Sequence, residues 1–257
     1  MIPKIIHYCW LSNDPVPENM QKYIDGWKEK LTDYRFIKWD FSRFDKESSL
    51  WVSEAFDNKK YAFACDYIRL YALYQYGGIY MDMDIEVLKT FDELLTKKYM
   101  MAKERPEQEW IEAGCMGAEK GSPFIRCCLD YYKDKHFINM EGIYEDTPLP
   151  RIMAKIYLDN HFDFELYDWQ TFTCKSYYTG IIDTKENSFT IHHFAGSWKS
   201  LEEQQIHNRA LELRAQKWVG SNLCAFVYEK GQKSIIALRE GGIKELIIRM
   251  RRFMKKE

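Results

Sequence analysis

The chain has 257 residues, is 46% hydrophobic and 16% aromatic, and carries a formal net charge of −2. That length suits one domain, or a domain with an extension; the apolar content excludes a disordered chain; and the near-neutral balance argues against a dedicated nucleic-acid binder, which needs a basic excess. The seven cysteines form no CxxC pair and read as reduced thiols of a cytosolic protein. The opening "MIPKIIHYCW" lacks the marks of a signal peptide, and no run reaches the ~20 apolar residues of a membrane span. The expectation is a soluble cytoplasmic protein, attached at most at a surface.

"KIIHYCW" (Lys4–Trp10), β-branched and aromatic, predicts a first strand. "ENMQKYIDGWKEK" spaces Met20, Tyr23, Ile24 and Trp27 as a helix does, and "YRFIKWD" (Tyr34–Asp40) predicts a second strand. Strand, helix, strand is a βαβ unit and points to an α/β fold with a parallel sheet. The clearest helix is Lys59–Gly78, with Gly77 placed for a left-handed residue past its end. Short strands are expected at "IYMD", "IEVL", Lys98–Glu104, Ala113–Glu119 and Phe189–Phe194. A helix begins at Ser122 as N-cap with Pro123 in its first turn. The chain reads as helical after about residue 200, which divides it into 1–200 and a C-terminal helical extension, 201–257.

The stretch "GGIYMDMD" (Gly77–Asp84) sets two carboxylates one residue apart among apolar and aromatic neighbours. If the strand runs through them, Asp82 and Asp84 point the same way, roughly 6.5–7 Å apart. Such a pair suits Mg²⁺ or Mn²⁺ at the carboxyl end of a strand, although aspartates also simply begin turns. Asp66 and Arg69, three apart on the preceding helix, are either a solvent-facing ion pair or a donor and acceptor for a hydroxylated ligand.

"YAFACDYIRLYALYQYGGIYMDMDIEVLK" resembles the DXD-containing sugar-transfer region of glycosyltransferase family 32, and more distantly the glucosyltransferase domains of large clostridial toxins. "IPKIIHYCW" is similar to that family's opening strand and "IHHFAGSWK" to its closing motif. The resemblance implies a GT-A type, Rossmann-like α/β fold with a mostly parallel sheet. It also implies a retaining hexosyltransferase that uses a UDP- or GDP-sugar with Mn²⁺ or Mg²⁺. On this chain it makes Asp84 the direct metal ligand, Asp82 a contact to the ribose or the metal shell, and Asp66 and Arg69 the sugar-hydroxyl contacts. Tyr80 belongs to the nucleotide or sugar wall. Trp10 either stacks on the nucleobase or fills the core, with Tyr8 beside it and His7 open between the two roles. His192 and His193 alternate on their strand, so at most one faces the metal, with His192 favoured and the other reading a satisfied core histidine. Ser197 and Trp198 reach towards the diphosphate, and Lys199 neutralises a phosphate.

Glu104, the segment 117–123 and Asp146–Pro148 fall where the resemblance puts the acceptor side, although ordinary loop polarity is the better explanation of each one singly. The end, "GGIKELIIRMRRFMKKE", is a basic amphipathic helix that either packs on the domain or lies on an anionic membrane at the inner face of the cell membrane. The resemblance implies a saccharide or lipid-linked acceptor in surface polysaccharide synthesis. Two other readings stand beside this one: a metal-dependent phosphohydrolase using Asp82 and Asp84, and a catalytically silent nucleotide-sugar or carbohydrate binder.

Overall fold

The computed structural model describes residues 1–105, 108–196, 201–216 and 220–254. Its strands are β1 (Ile5–Cys9), β2 (Arg35–Trp39), β3 (Gly78–Met81), β4 (Ile85–Val87), β5 (Tyr99–Met100), β6 (Lys103–Arg105), β7 (Gln108–Ile111), β8 (Cys115–Ala118) and β9 (Thr190–His192). Its helices are α1 (Glu18–Lys30), α2 (Leu50–Asp57), α3 (Tyr61–Tyr76), α4 (Pro123–Asp130), α5 (Leu149–Asp159), α6 (Leu201–Ala215) and α7 (Ser221–Met254).

Five strands form one sheet in the order β2-β1-β3-β8-β5. The β1–α1–β2 unit closes in parallel, with Ile5 opposite Arg35 and Cys9 opposite Trp39, and β3 joins β1 in parallel. Only β8 is reversed, antiparallel to both of its neighbours, so four strands run one way. The expected α/β class and mostly parallel sheet are therefore present. Along β3 the side chains alternate across the sheet. Tyr80 enters a core cluster with Trp39, Trp51, Ile68 and Leu73 on one face, while Ile79 and Met81 enter another with Trp27, Phe91 and Phe172. Both faces of β3 are covered, which is why this segment is almost wholly apolar up to its last residue.

Gly77 ends α3 at φ 66°, and its N–H closes the helix on the Leu73 carbonyl at 2.8 Å. A Cβ there would lie 2.7 Å from the Lys120 nitrogen and 2.9 Å from Pro3 Cδ, so both the backbone angle and the space call for glycine.

Several expectations need correction. Asp82 and Asp84 do not continue β3: they lie in a turn closed by Ile85 N–H on the Asp82 carbonyl at 3.0 Å, and β4 then leaves to pair with β9 in a separate two-stranded sheet. The strand expected at Lys98–Glu104 is broken into β5 and β6, and β6 pairs with β7. Helices α2 and α5 carry no part of the sequence reading. Asp66 and Arg69 are buried, so the solvent-facing ion pair is not what forms.

The described chain divides into two compact units. One is Met1–Ser176 with Ile182–Ala195 and holds every strand; the other is Tyr177–Ile181 with Gly196–Glu257. In the second unit α6 and α7 pack on each other, and Arg214 meets Glu229 at 3.1 Å with both side chains largely buried.

Candidate active site

The turn after β3 and the end of β9 bring three ligand-bearing side chains together. Asp82, Asp84 and His192 each offer one ligand atom, and these atoms all lie within 4.8 Å of one another. Pairing of Ile85 with His192 across β4 and β9 sets the imidazole beside the turn. His192 Nε2 lies 3.5 Å from Asp84 Oδ1. The other Asp84 oxygen accepts the Ala195 N–H at 2.7 Å, and the Asp84 carbonyl accepts the His193 N–H at 3.1 Å. Asp84 is thus tied to the chain leaving β9, with one oxygen turned to the imidazole. Phe194, at φ 54°, stacks on His192 with ring centroids 4.1 Å apart.

Asp82 is the more open of the two acids, 29% exposed, and is held from behind. Arg69 reaches its two oxygens at 3.3 and 3.4 Å, and the Tyr80 hydroxyl donates to it at 3.0 Å. Arg69 also meets Asp66 at 3.3 Å, donates to the Ala113 carbonyl at 2.8 Å, and lies over the Tyr80 ring at 4.6 Å. Two buried charges on one helix face are costly unless paired, and here the guanidinium joins them to the site. Burial pushes the Asp66 carboxyl up to about 7, against the opposing pull of Arg69. Burial also raises Asp82, with Arg69 opposing and Asp84 adding to the rise.

Glu112 and Lys175 were missed by the sequence reading. Glu112, 1% exposed, accepts from the Gly114 N–H, the Thr173 hydroxyl at 2.7 Å and His192 Nδ1 at 3.2 Å. Burial alone would lower the His192 pKa; Glu112 and Asp84 outweigh it and push it up to about 10. The imidazolium in turn holds Glu112 below the usual carboxylate range against its own burial. The signal for Glu112 was a lone acid in the apolar run "WIEAGCMGA", which says that a charge is buried but not beside what. Lys175 donates to the His193 carbonyl at 2.8 Å; burial lowers its pKa, and the charge of Asp84 opposes that.

The other sequence candidates lie elsewhere or play other parts. His193 turns away from the acids, bonds Glu86 at 2.8 Å and stacks on Tyr23. Tyr80 is 1% exposed, so its reach is to Asp82 and Arg69. Tyr8 packs edge-on against Trp27 at 5.8 Å, and His7 is fully buried between Gly77 and Trp39. Trp10 is half-buried, with its indole donating to the Asp14 carbonyl at 2.8 Å. It lines a cleft of about 430 Å³ with Asp14, Lys38, Asp40, Phe41 and Ser42, beyond the carboxyl ends of β1 and β2. Glu104 pairs with Arg105 at 2.6 Å. Ser197, Trp198 and Lys199 lie outside the described residues.

Two carboxylate oxygens and, once its Nε2 proton is displaced, one imidazole nitrogen form a donor set that suits Mn²⁺ or Mg²⁺, and a cation there would take the place of the positive charge that the imidazolium sets against Asp84. The residues present fit such an ion.

Comparison with known proteins places Asp82 and Asp84 inside a matched family region. Residues 17–101 match the family model described as "Glycosyltransferase sugar-binding region containing DXD motif". "Inositol phosphoceramide mannosyltransferase 3" of Schizosaccharomyces pombe is 31% identical over 159 residues, which is 58% of this chain and 43% of that protein. "Mannosyl phosphorylinositol ceramide synthase SUR1" of Saccharomyces cerevisiae is 31% identical over 143 residues, 53% of this chain and 37% of that protein. The chain thus spans less than half the length of these relatives. Among solved structures, "PaToxG Glycosyltransferase" aligns at a TM-score of 0.45 and 19% identity, covering 62% of this chain and 69% of that one. A glycosyltransferase "involved in the glycosylation of the major capsid of PBCV-1" aligns at 0.45 and 12%, covering 81% of this chain and 98% of that one.

Proposed function

We propose that this chain, which carries the sugar-binding region of the DXD-containing glycosyltransferases in line with its resemblance to family 32, is a metal-dependent, configuration-retaining hexosyltransferase. It would move a sugar from a nucleoside diphosphate to a saccharide or lipid-linked acceptor. The observation that carries this reading is the convergence of Asp82, Asp84 and His192 beside a buried arginine. When bound, the divalent cation would act as a Lewis acid on the departing diphosphate.

This chain's own residues have separable tasks. Asp84 and His192 would hold the ion, Asp82 would complete its shell or reach the ribose, and Arg69 and Tyr80 hold Asp82 in place. Lys175 supplies a cation beside Asp84 that suits the charge gathering on the leaving phosphates. The cleft at Trp10 offers an aromatic wall and the polar groups of Lys38 and Asp40 to the nucleoside. The curated relatives are named as mannosyltransferases, which supports mannose as the sugar and a lipid-linked acceptor; surface polysaccharide synthesis is the alternative setting.

Thermal denaturation with a panel of UDP- and GDP-sugars, with and without Mn²⁺, tests the reading. One sugar nucleotide is expected to raise the melting temperature only with metal, and Asp84→Ala to remove that dependence. No metal-dependent shift with any donor refutes it. NMR of the product's anomeric proton tests retention, which an inverted product overturns.

For location, we propose a cytoplasmic protein held peripherally at the inner face of the membrane. Among the described residues no helix is long and apolar enough to cross a membrane. Past a kink at Gly242, α7 leaves Ile243, Ile247 and Met250 exposed one turn apart, and six Lys or Arg follow from 244 to 256. An apolar stripe with basic flanks suits anionic lipid. Removing 243–257 is expected to abolish salt-sensitive binding to phosphatidylglycerol vesicles; unchanged binding refutes the membrane assignment.

A further inference from the structure

We propose that Glu112 is the positioning residue of the cation site, and that the corner Glu112–Ala113–Gly114 sets both halves of that site at once. The inference rests on the reading of Asp82, Asp84 and His192 as ligands.

Glu112 has no access to water, so its negative charge must be met within the protein. It is met three times: by the Gly114 N–H, by the Thr173 hydroxyl and by His192 Nδ1. A position needed only for packing would take an apolar side chain at lower cost. The bond to Nδ1 has a directional consequence. A carboxylate only accepts, so Nδ1 must carry a hydrogen, and the lone pair of the neutral ring is left on Nε2. Nε2 is the nitrogen that faces Asp84. Glu112 therefore fixes both the ring plane and the tautomer that a metal ligand needs.

The backbone of the same corner holds the other half. The Ala113 carbonyl accepts Arg69 at 2.8 Å, and the Gly114 carbonyl accepts the Asp82 N–H at 2.7 Å. Asp82 and His192 belong to different parts of the chain, yet both are referenced to these three residues. Gly114 lets the ring come close: a Cβ there would lie 2.6 Å from His192 Cε1 and 2.8 Å from Glu112 Oε1.

The test titrates the full chain with Mn²⁺ alone and reads free Mn²⁺ by electron paramagnetic resonance. Glu112→Gln keeps the shape and removes the charge, and is expected to weaken Mn²⁺ binding by about 10–100-fold. His192→Ala should weaken it at least as much, and Glu112→Gln added to His192→Ala should weaken it no further, because Glu112 acts through the ring. Thr173→Val, which frees one carboxylate oxygen, is a second probe with an expected loss of about tenfold, should Glu112→Gln fold poorly. Unchanged Mn²⁺ affinity in folded Glu112→Gln and Thr173→Val, or additive losses in the double variant, overturns the proposal. If Asp84→Ala loses Mn²⁺ in either case, the ligand reading survives that failure; if the unaltered protein binds no Mn²⁺, both fall.

Discussion

Burial of His7 should impose a pH dependence on stability whose size follows from its two ring contacts. The Trp39 indole donates to Nδ1 at 3.1 Å, and Nε2–H donates to the Gly77 carbonyl at 2.8 Å. The neutral ring satisfies both; a second proton would set two N–H groups against each other at a fully buried position. Burial lowers the pKa from 6.5 to about 4, with the Gly77 carbonyl pulling the other way. Between those values the unfolded chain is protonated at His7 and the folded chain is not, so stability rises with pH across pH 4 to 6.5 and is lost as pH falls. A shift of about 2.5 units is worth about 3 kcal/mol in full, and about 2 kcal/mol of it falls between pH 7 and pH 4.5. Asp66 works against it: its carboxyl is raised from 3.8 to about 7, so the folded chain holds the extra proton and stability falls as pH rises across that window. The profile of the unaltered protein will hide both slopes. The assay is urea unfolding followed by tryptophan fluorescence at pH 4.5 and 7 for the protein and His7→Gln. The variant is expected to gain about 2 kcal/mol at pH 4.5 relative to pH 7, measured against the unaltered protein. Equal pH dependence in the two, within half a kcal/mol or roughly the fitting error, refutes the neutral, doubly bonded His7.

Three further outcomes follow from the same contacts. Arg69→Met leaves Asp66 and Asp82 facing each other without their shared cation and should cost about 3–5 kcal/mol, or a melting temperature lower by about 6–20 °C; adding Asp66→Asn should recover part of it in calorimetry. Gly114→Ala places a methyl against His192 and is expected to cost about 1–3 kcal/mol and to shrink the Mn²⁺-dependent thermal shift. Tyr80→Phe removes one bond to Asp82, with an expected loss of about 1 kcal/mol by urea unfolding.

The sequence carried the fold through its local patterns. The βαβ opening, the helix ending at Gly77 and the apolar β3 rest on spacing within one element, and their boundaries fall within a few residues of expectation. Helices α2 and α5 were not read because their burial is set by partners far along the chain: Trp51 packs on Tyr132 and Phe137, which no periodicity reports. The reversed β8 is likewise settled by its pairing with β3 and β5, and the breaking of the expected 98–104 strand by β6 leaving to pair with β7 in a separate sheet, and not by propensity.

The site shows the same division more sharply. Asp82 and Asp84 were expected to converge because strand residues two apart share a face. They converge for another reason: the turn at 82–85 bends the chain, while Arg69 and Tyr80 hold one acid and the Ala195 N–H holds the other. The motif was therefore readable while its geometry was not, since of the side chains and N–H groups that hold the two acids only Tyr80 lies within Gly77–Asp84. Asp66 and Arg69 make the point again. Their spacing of three marked them as a pair, but whether such a pair is solvated or buried depends on the Ala113 carbonyl, 44 residues away. Glu112 had no spacing to mark it at all. A lone acid in an apolar run is costly wherever it is buried, so its presence signals a partner; only the fold could show that the partner is the imidazole of His192, 80 residues on, and that the same corner carries Asp82.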